Sequence, residues 1–223
     1  LIPSYLDISY ASFASLLPHA GKELDINLFL AHREVEILQV KANVELASHT
    51  YSHYYCLEEG QTIEDFENDV RMAKENAIKQ GVNLVSIIFP RNQVNDDYLT
   101  ICRKYGFTHF RGMLNSFLYK PSKTPFRYSP MGALRFLDTY LNISGNNTYT
   151  IEDTKSKELI DVPGSRFFRP YSRKLSFLEG LKIRRIKQSM TDAAKNGRIY
   201  HLWWHPHNLS LIHISEPTRL ALI

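Results

Sequence analysis

The stretch TIEDFENDVRMAKENAIKQGVNLVSIIFP, residues 62–90, decides the fold because a helix signal is followed at once by a strand signal. Thr62 and Asp65 form a capping box that predicts the start of a helix, and Gly81 predicts its end. The apolar stripe between them consists of Ile63, Phe66, Val70, Ala73 and Ala77. Residues 84–89 (LVSIIF) are a continuous apolar run, which predicts a strand buried on both faces, as in parallel sheets.

The segments on either side continue the alternation of helices and strands. Further helices are predicted within residues 24–41, 95–106, 132–142 and 174–195, and further strands over residues 43–48, 107–110 and 198–204. The polar stretch between the last two helices is predicted to be a loop. Because alternating strands and helices pair in parallel through right-handed crossovers, the sequence predicts an α/β fold, either a barrel or an open sheet. We favour the barrel.

The composition indicates one ordinary globular domain. Of the 223 residues, 43% are apolar and 22% are charged, and 27 basic residues against 23 acidic ones give a net charge of only +4. This excess is too small to favour nucleic-acid binding. The basic run KIRRIK, residues 182–187, is interpreted as the solvated face of a helix in preference to a polyanion contact.

Neither the cysteines nor the hydropathy pattern indicates a membrane or secreted framework. The spacing of Cys56 and Cys102 fits neither a metal knuckle nor a disulfide framework, so both are predicted to be buried thiols. No run approaches the ~18 apolar residues that span a bilayer, which favours a soluble protein without a membrane span. The compartment stays open between the cytoplasm and the cell envelope.

The first candidate site is the histidine pair in ELASHTYSHYYC, residues 45–56. His49 and His53 are four positions apart, so one helical turn would place both imidazoles on the same side, where they could share a metal ion. Surface or hydrogen-bonded core histidines are the open alternative. The small hydroxyl neighbours Ser48 and Thr50, together with the predicted strand before them, favour a site at a strand end.

A second cluster lies in YHLWWHPHN, residues 200–208. His205 follows the predicted strand and favours a functional role, whereas His201 is interpreted as a core or outward-facing histidine. Trp203 and Trp204 could provide a stacking surface for a sugar, with an ordinary core role as the equal alternative.

Arg91 is the third candidate, because it follows the buried strand and Pro90 directly. Its fixed charge at a strand end could hold a carboxylate in place, and a surface salt bridge is the alternative. Arg166 and Arg169 could act in the same way, but their loop has no assigned position in the barrel.

The order of these motifs resembles the polysaccharide deacetylase family, also called carbohydrate esterase family 4 or the nodulation-type deacetylase homology domain. HTYSH, residues 49–53, is similar to the family signature H-[ST]-x-x-H. FPRNQ, residues 89–93, and WWHPH, residues 203–207, follow in the family's order, although FPRNQ departs from the usual Arg-Pro-Pro-Tyr form and WWHPH is a loose version of the Leu-x-His segment. The resemblance covers residues 40–208.

The resemblance implies a distorted (β/α) barrel and a divalent metal ion, zinc in our expectation, held by one aspartate and two histidines. It also implies hydrolysis of an acetyl group, most simply an N-acetyl group, from a sugar or polysaccharide. By position, His49 and His53 would bind the metal, Arg91 would orient the catalytic base, and His205 would protonate the leaving amine.

One part of the family pattern is missing. The family's two aspartates come from a Thr-Phe-Asp-Asp-Gly-like segment before the histidines, whereas Asp7 and Asp25 are the only aspartates upstream of His49 and neither fits that motif. We therefore expect residues 1–208 to be a partial deacetylase barrel that lacks its first strand and its C-terminal part, and residues 209–223 to be a non-native tail. The parent is then expected to be an enzyme, with the activity of this chain open. A degenerate, non-catalytic sugar-binding protein of the same fold is the alternative.

Overall fold

Short parallel strands alternate with helices along the part of the chain that the structure, a computed structural model, describes: residues 4–11, 32–113, 116–119, 130–155, 158–205 and 208. The helices are α1 (His32–Gln39), α2 (Ile63–Lys79), α3 (Asp96–Lys104), α4 (Pro130–Leu137) and α5 (Glu179–Asn196). The strands are β1 (Ser86–Ile87), β2 (His109–Phe110), β3 (Ile160–Asp161), β4 (Arg166–Phe167) and β5 (Leu202–Trp203). The fold is therefore mixed α/β with small parallel sheets, as predicted, while the closed barrel stays a prediction.

The chain divides into two compact units. Unit 1 comprises Leu1–Gly112 and Ser156–Asp161, and unit 2 comprises Met113–Lys155 and Val162–Ile223. No helix within the described residues combines the length and the apolar character that crossing a membrane requires.

Unit 1 contains a parallel sheet in the order β1-β2-β3, extended by a parallel bridge from Ser48 to Ile87 on the open side of β1. The register aligns Ile87 with Phe110, and Phe110 with Asp161. Because parallel strands end at the same edge of a sheet, the residues that follow each strand meet there. His49 comes directly after the Ser48 bridge, which places the histidine loop at this edge.

The two helices of unit 1 that the sequence predicted most clearly are confirmed. The hydroxyl of Thr62 accepts the Asp65 backbone N–H at the start of α2, and the amide oxygen of Asn95 caps α3 in the same way. The helices pack through Phe66 and Tyr98, whose rings stack with centroids 4.3 Å apart. The buried core includes Tyr54, Cys56, Phe66, Val70, Ile87, Phe89, Leu99, Cys102, Phe107 and Phe110. Both cysteines are buried and free, as predicted.

In unit 2, β4 pairs in parallel with β5, and α5 ends at Gly197, which adopts the left-handed conformation that favours glycine. Both short strands β3 and β4 lie in the stretch that we predicted to be a loop. Helix α4 begins and ends earlier than predicted, at Pro130 and Leu137. The predicted helix over residues 24–41 is present as α1, and its first residues lie outside the described part of the chain.

The basic run KIRRIK is not simply a solvated face, so that interpretation is wrong in part. Lys182 and Arg185 are buried, and Arg185 pairs with the fully buried Asp138 at 2.9 Å. Arg166, interpreted above as a possible anchor for a carboxylate, is also buried and contacts the other Asp138 oxygen at 3.3 Å. Burial opposes ionisation of Asp138, but hydrogen bonds from Tyr119 and other groups and the charge of Arg166 outweigh it and lower its pKa. Arg166 and Arg185 therefore have a structural role in unit 2, as the counter-charges of the buried Asp138.

Candidate functional site

The histidine loop brings His49 and His53 together, but not by the helical turn that their spacing suggested. The residues between them form a tight turn in which Thr50 and His53 have positive φ values of 65° and 57°. The two imidazole rings nevertheless lie with centroids 4.9 Å apart, at an interplanar angle of 69°. The loop begins where Ser48 exchanges backbone hydrogen bonds with β1, donating to the Ser86 carbonyl at 2.9 Å.

The protonation of His49 follows from its hydrogen bond. Its Nδ1 lies 2.7 Å from the backbone carbonyl oxygen of Ile88. A carbonyl can only accept, so Nδ1 carries the proton and donates it. In the neutral ring the lone pair is then on Nε2, the nitrogen that a metal ion would bind, and histidine ligands are commonly oriented by such a carbonyl.

The two imidazole rings are close enough for one ion to contact a nitrogen of each. An ion ~2.1 Å from one nitrogen of each ring lies about 3.2 Å from each centroid, and a near-tetrahedral angle then separates the centroids by about 5 Å. The observed separation is 4.9 Å, which is also the ordinary separation of two rings in edge-to-face contact. Zinc sites use three or four protein ligands. Within the described ranges, no further histidine, cysteine, aspartate or glutamate completes such a group. Asp7 caps a 3-10 turn through Ser9, and Asp25 lies outside the described residues.

Asp69 anchors the histidine loop to α2, a role that was not predicted from the sequence. Its carboxylate is 3% exposed and accepts the backbone N–H groups of Tyr51 at 2.7 Å and Ser52 at 2.8 Å. It also accepts the Ser52 hydroxyl at 2.5 Å. Burial raises the pKa of Asp69, and these hydrogen bonds counter that effect. The signal was present, because Asp69 lies on the apolar stripe of α2, three residues after Phe66.

Arg91 sits in a corner made by two tyrosine rings. Its guanidinium carbon lies 4.4 Å from the ring centroid of Tyr55 and 5.2 Å from that of Tyr10. These rings are nearly perpendicular, with centroids 5.6 Å apart. Tyr55 also contacts the His53 ring edge-to-face at 5.1 Å. One tyrosine ring therefore links the guanidinium to the histidine pair.

The turn that carries Arg91 is strained and is held by side chains. Arg91 and Asn92 both have φ values of 53°, a left-handed conformation that costs energy in residues other than glycine. Arg111, which follows β2, donates to the Asn92 side-chain oxygen from both Nε and Nη2, at 3.2 and 2.9 Å. Gln93 is buried and donates to Glu58 at 2.7 Å while accepting the Leu57 backbone N–H. The turn thus has little freedom to relax.

A titratable carboxyl ends the third strand of the same sheet. Burial raises the pKa of Asp161 to about 6, and a hydrogen bond from the Gly112 backbone opposes the shift. A Cβ at position 112 would lie 2.1 Å from Asp161 Oδ1, so a side chain there would displace the Asp161 carboxyl. A carboxyl with a pKa near 6 can exchange protons at neutral pH.

The remaining predicted site residues belong to unit 2. Trp203 contacts Phe167 with centroids 4.6 Å apart, and His205 contacts both rings, at 5.9 Å from Trp203 and 5.8 Å from Phe167. Trp204 is 46% exposed. Because side chains alternate along an extended segment, Trp203 and His205 share one face and Trp204 lies on the other. His207 lies outside the described residues.

Comparisons of the chain with protein-family models, curated proteins and solved structures found no significant match. The resemblance to polysaccharide deacetylases therefore rests on the sequence motifs alone.

Proposed function

We propose that this chain derives from a metal-dependent hydrolase that removes acetyl groups, N-acetyl groups in the first instance, from a sugar or polysaccharide. The proposal includes the distorted (β/α) barrel of that family and a divalent ion, zinc, held by His49 and His53. The observation that carries it is the paired imidazoles at a strand end, with His49 oriented by a backbone carbonyl. An ordinary pair of surface histidines has no need of this arrangement.

The residues of the chain would divide the work as follows. His49, with its Nδ1 proton committed to Ile88, offers Nε2 as a ligand, and His53 offers the second nitrogen. The ion would supply polarisation of the acetyl carbonyl and activation of water. For His205, in unit 2, the proposal keeps only the role that the family resemblance implies, protonation of the leaving amine. Of the two tryptophans predicted to contact the sugar, Trp203 shares a face with His205, whereas Trp204 lies on the other face.

Metal binding and acetate release together test the proposal. We expect the full chain to bind zinc in a calorimetric titration, and the double variant His49→Ala/His53→Ala to lose that binding. His109→Ala is the matched control, because His109 belongs to the same unit and lies within β2, away from the loop. Acetate released from an N-acetylated sugar oligomer, measured enzymatically, reports the activity.

The result that would overturn the proposal is a chain that binds no divalent ion and releases no acetate. Zinc binding that survives in the double variant would also count against it, because the ion would then be held elsewhere.

The alternative is a non-catalytic protein that binds carbohydrate with the same scaffold. The reason to consider it is that no Asp-Asp motif of the family type stands upstream of His49 in this sequence. The two functions separate in one experiment, since a binding protein would bind acetylated sugar in a calorimetric titration with chelator present and leave the acetyl group intact.

A further inference from the structure

We propose that Arg91, for which the family resemblance implied a role in orienting the catalytic base, is instead the recognition group for a carboxylate or phosphate on the sugar, so that the substrates of this site are anionic acetylated sugars. That the ligand is an acetylated substrate rests on the proposed function. That it carries an anionic group is inferred from the geometry around Arg91.

The guanidinium is oriented but not enclosed. The Tyr10 and Tyr55 rings fix its position by cation–π contacts, while its side chain remains 52% exposed. A guanidinium held by aromatic rings keeps its planar set of N–H donors, which matches the two oxygens of a carboxylate or phosphate. An arginine that served only solubility would not be held by two rings.

The ion pair between Arg91 and its neighbouring acid is long. Glu58 Oε1 lies 3.4 Å from Arg91 Nη1, at the outer limit of a hydrogen bond, and the same oxygen accepts a shorter bond of 2.7 Å from Gln93. Glu58 is therefore held mainly by Gln93. An incoming oxyanion can bind the guanidinium without having to break a short ion pair.

The backbone beneath Arg91 supports a binding role. Arg91 and Asn92 have the left-handed conformation, and Arg111 and Gln93 hold the turn in place through their side chains. Such strain persists when surrounding contacts enforce it, and it is concentrated at ligand-binding positions. The cost of ordering the arginine is then met before a ligand arrives, which raises affinity.

The position of Arg91 relative to the histidine pair connects the anionic group with the acetyl group of the ligand. Tyr55 contacts both Arg91 and His53, so one aromatic ring separates the guanidinium from the histidine pair. A sugar whose acetyl group is at the histidines would present a carboxylate or phosphate of the same or the neighbouring ring to Arg91.

Calorimetric titrations with three sugars test the inference in the unmodified chain. The ligands are an N-acetylated disaccharide with a neutral hexose, the matched disaccharide with a uronic acid, and the matched disaccharide with a phosphate. We expect at least one anionic sugar to bind about 10- to 100-fold more tightly than the neutral one, the range for a charge-assisted bidentate contact. The tighter of the two anionic ligands identifies the oxyanion, and the preference should shrink as salt is raised.

Three variants test whether the preference for an anionic sugar depends on Arg91 and the tyrosine rings that contact it. Arg91→Gln should abolish it, and Arg91→Lys should weaken it because an ammonium lacks the planar fork. Tyr10→Leu removes one of the two rings and should reduce the preference about 2- to 5-fold. Arg103→Gln is the matched control: Arg103 is an exposed arginine of the same unit whose pair with Glu158 also measures 3.4 Å.

The outcomes separate this inference from the proposed function. Equal binding of neutral and anionic sugars by the unmodified chain overturns the inference, and acetate release would still stand. A preference that survives in Arg91→Gln also overturns it. A preference that depends on Arg91, in a chain that binds no divalent ion and releases no acetate from any of the three sugars, would remove the proposed function and keep Arg91 as the anion-binding group.

Discussion

Replacing Asp69 by asparagine tests whether one buried carboxylate fixes the loop between His49 and His53. Oδ1 accepts the Tyr51 backbone N–H, and Oδ2 accepts both the backbone N–H and the hydroxyl of Ser52. Asparagine has the same shape but only one accepting oxygen. Whichever way the amide is turned, its NH2 group faces at least one backbone N–H, so a buried donor is left without an acceptor.

The magnitude follows from that one lost acceptor. A buried donor without a partner costs about 1–3 kcal/mol. Burial raises the pKa of Asp69, which means that the charged carboxylate already carries a desolvation cost that asparagine removes. We therefore expect a loss of about 1–2 kcal/mol in the free energy of unfolding. Zinc affinity should also fall, because Asp69 fixes the turn that carries both histidines.

Urea unfolding and zinc titration of Asp69→Asn measure the two effects. Glu64→Gln is the control, because Glu64 is an exposed acid in the same helix. If Asp69→Asn and Glu64→Gln have equal stability and equal zinc affinity, the carboxylate does not hold the loop and the reasoning is refuted.

Two further predictions concern contacts elsewhere. Asp138→Asn should destabilise the chain by about 3–5 kcal/mol in urea unfolding, because the buried charge of Arg185 loses its counter-charge. Since the folded pKa of Asp138 is lowered despite its burial, its contribution is present above the ordinary carboxyl pKa of ~3.9, is lost as pH falls through the lower folded pKa, and should be missing from the variant. Gly60→Ala should release the segment that contains Ser4, because the new Cβ would lie 2.3 Å from the Ser4 carbonyl oxygen. Faster proteolysis of that segment than in Gly81→Ala, where φ is also positive but the space is open, would confirm the clash, and equal rates would contradict it.

The helices were predictable because their signals are local. The side-chain caps of α2 and α3 lie within three residues of the groups that they bind, and the apolar stripe of α2 needs only helical periodicity. The strands were harder. β3 and β4 contain two residues each, too few to display an alternating pattern, and Pro163 and Gly164 between them are turn signals.

The role of a charge could not be predicted when its partner is distant in the chain. Arg185 and Asp138 are 47 positions apart, and nothing in KIRRIK itself indicates that a buried carboxylate faces it. The histidine pair shows the opposite case. The spacing suggested that His49 and His53 share one side, and they do, although through a turn with positive φ values. The proximity of the two histidines was thus predicted correctly, whereas the backbone conformation that brings them together was not.

Backbone strain gives an independent argument that these loops bind something. Five residues other than glycine have positive φ in the described chain, and four of them, Thr50, His53, Arg91 and Asn92, lie in the loops that follow the Ser48 bridge and β1. Each such residue costs on the order of 1–3 kcal/mol, less for asparagine, which tolerates this conformation. A loop that only connects two elements could avoid that cost with glycine. These loops instead keep the strained conformation, and hydrogen bonds of Asp69, Gln93 and Arg111 stabilise it. This indicates that the loops hold the imidazoles and the guanidinium in fixed positions.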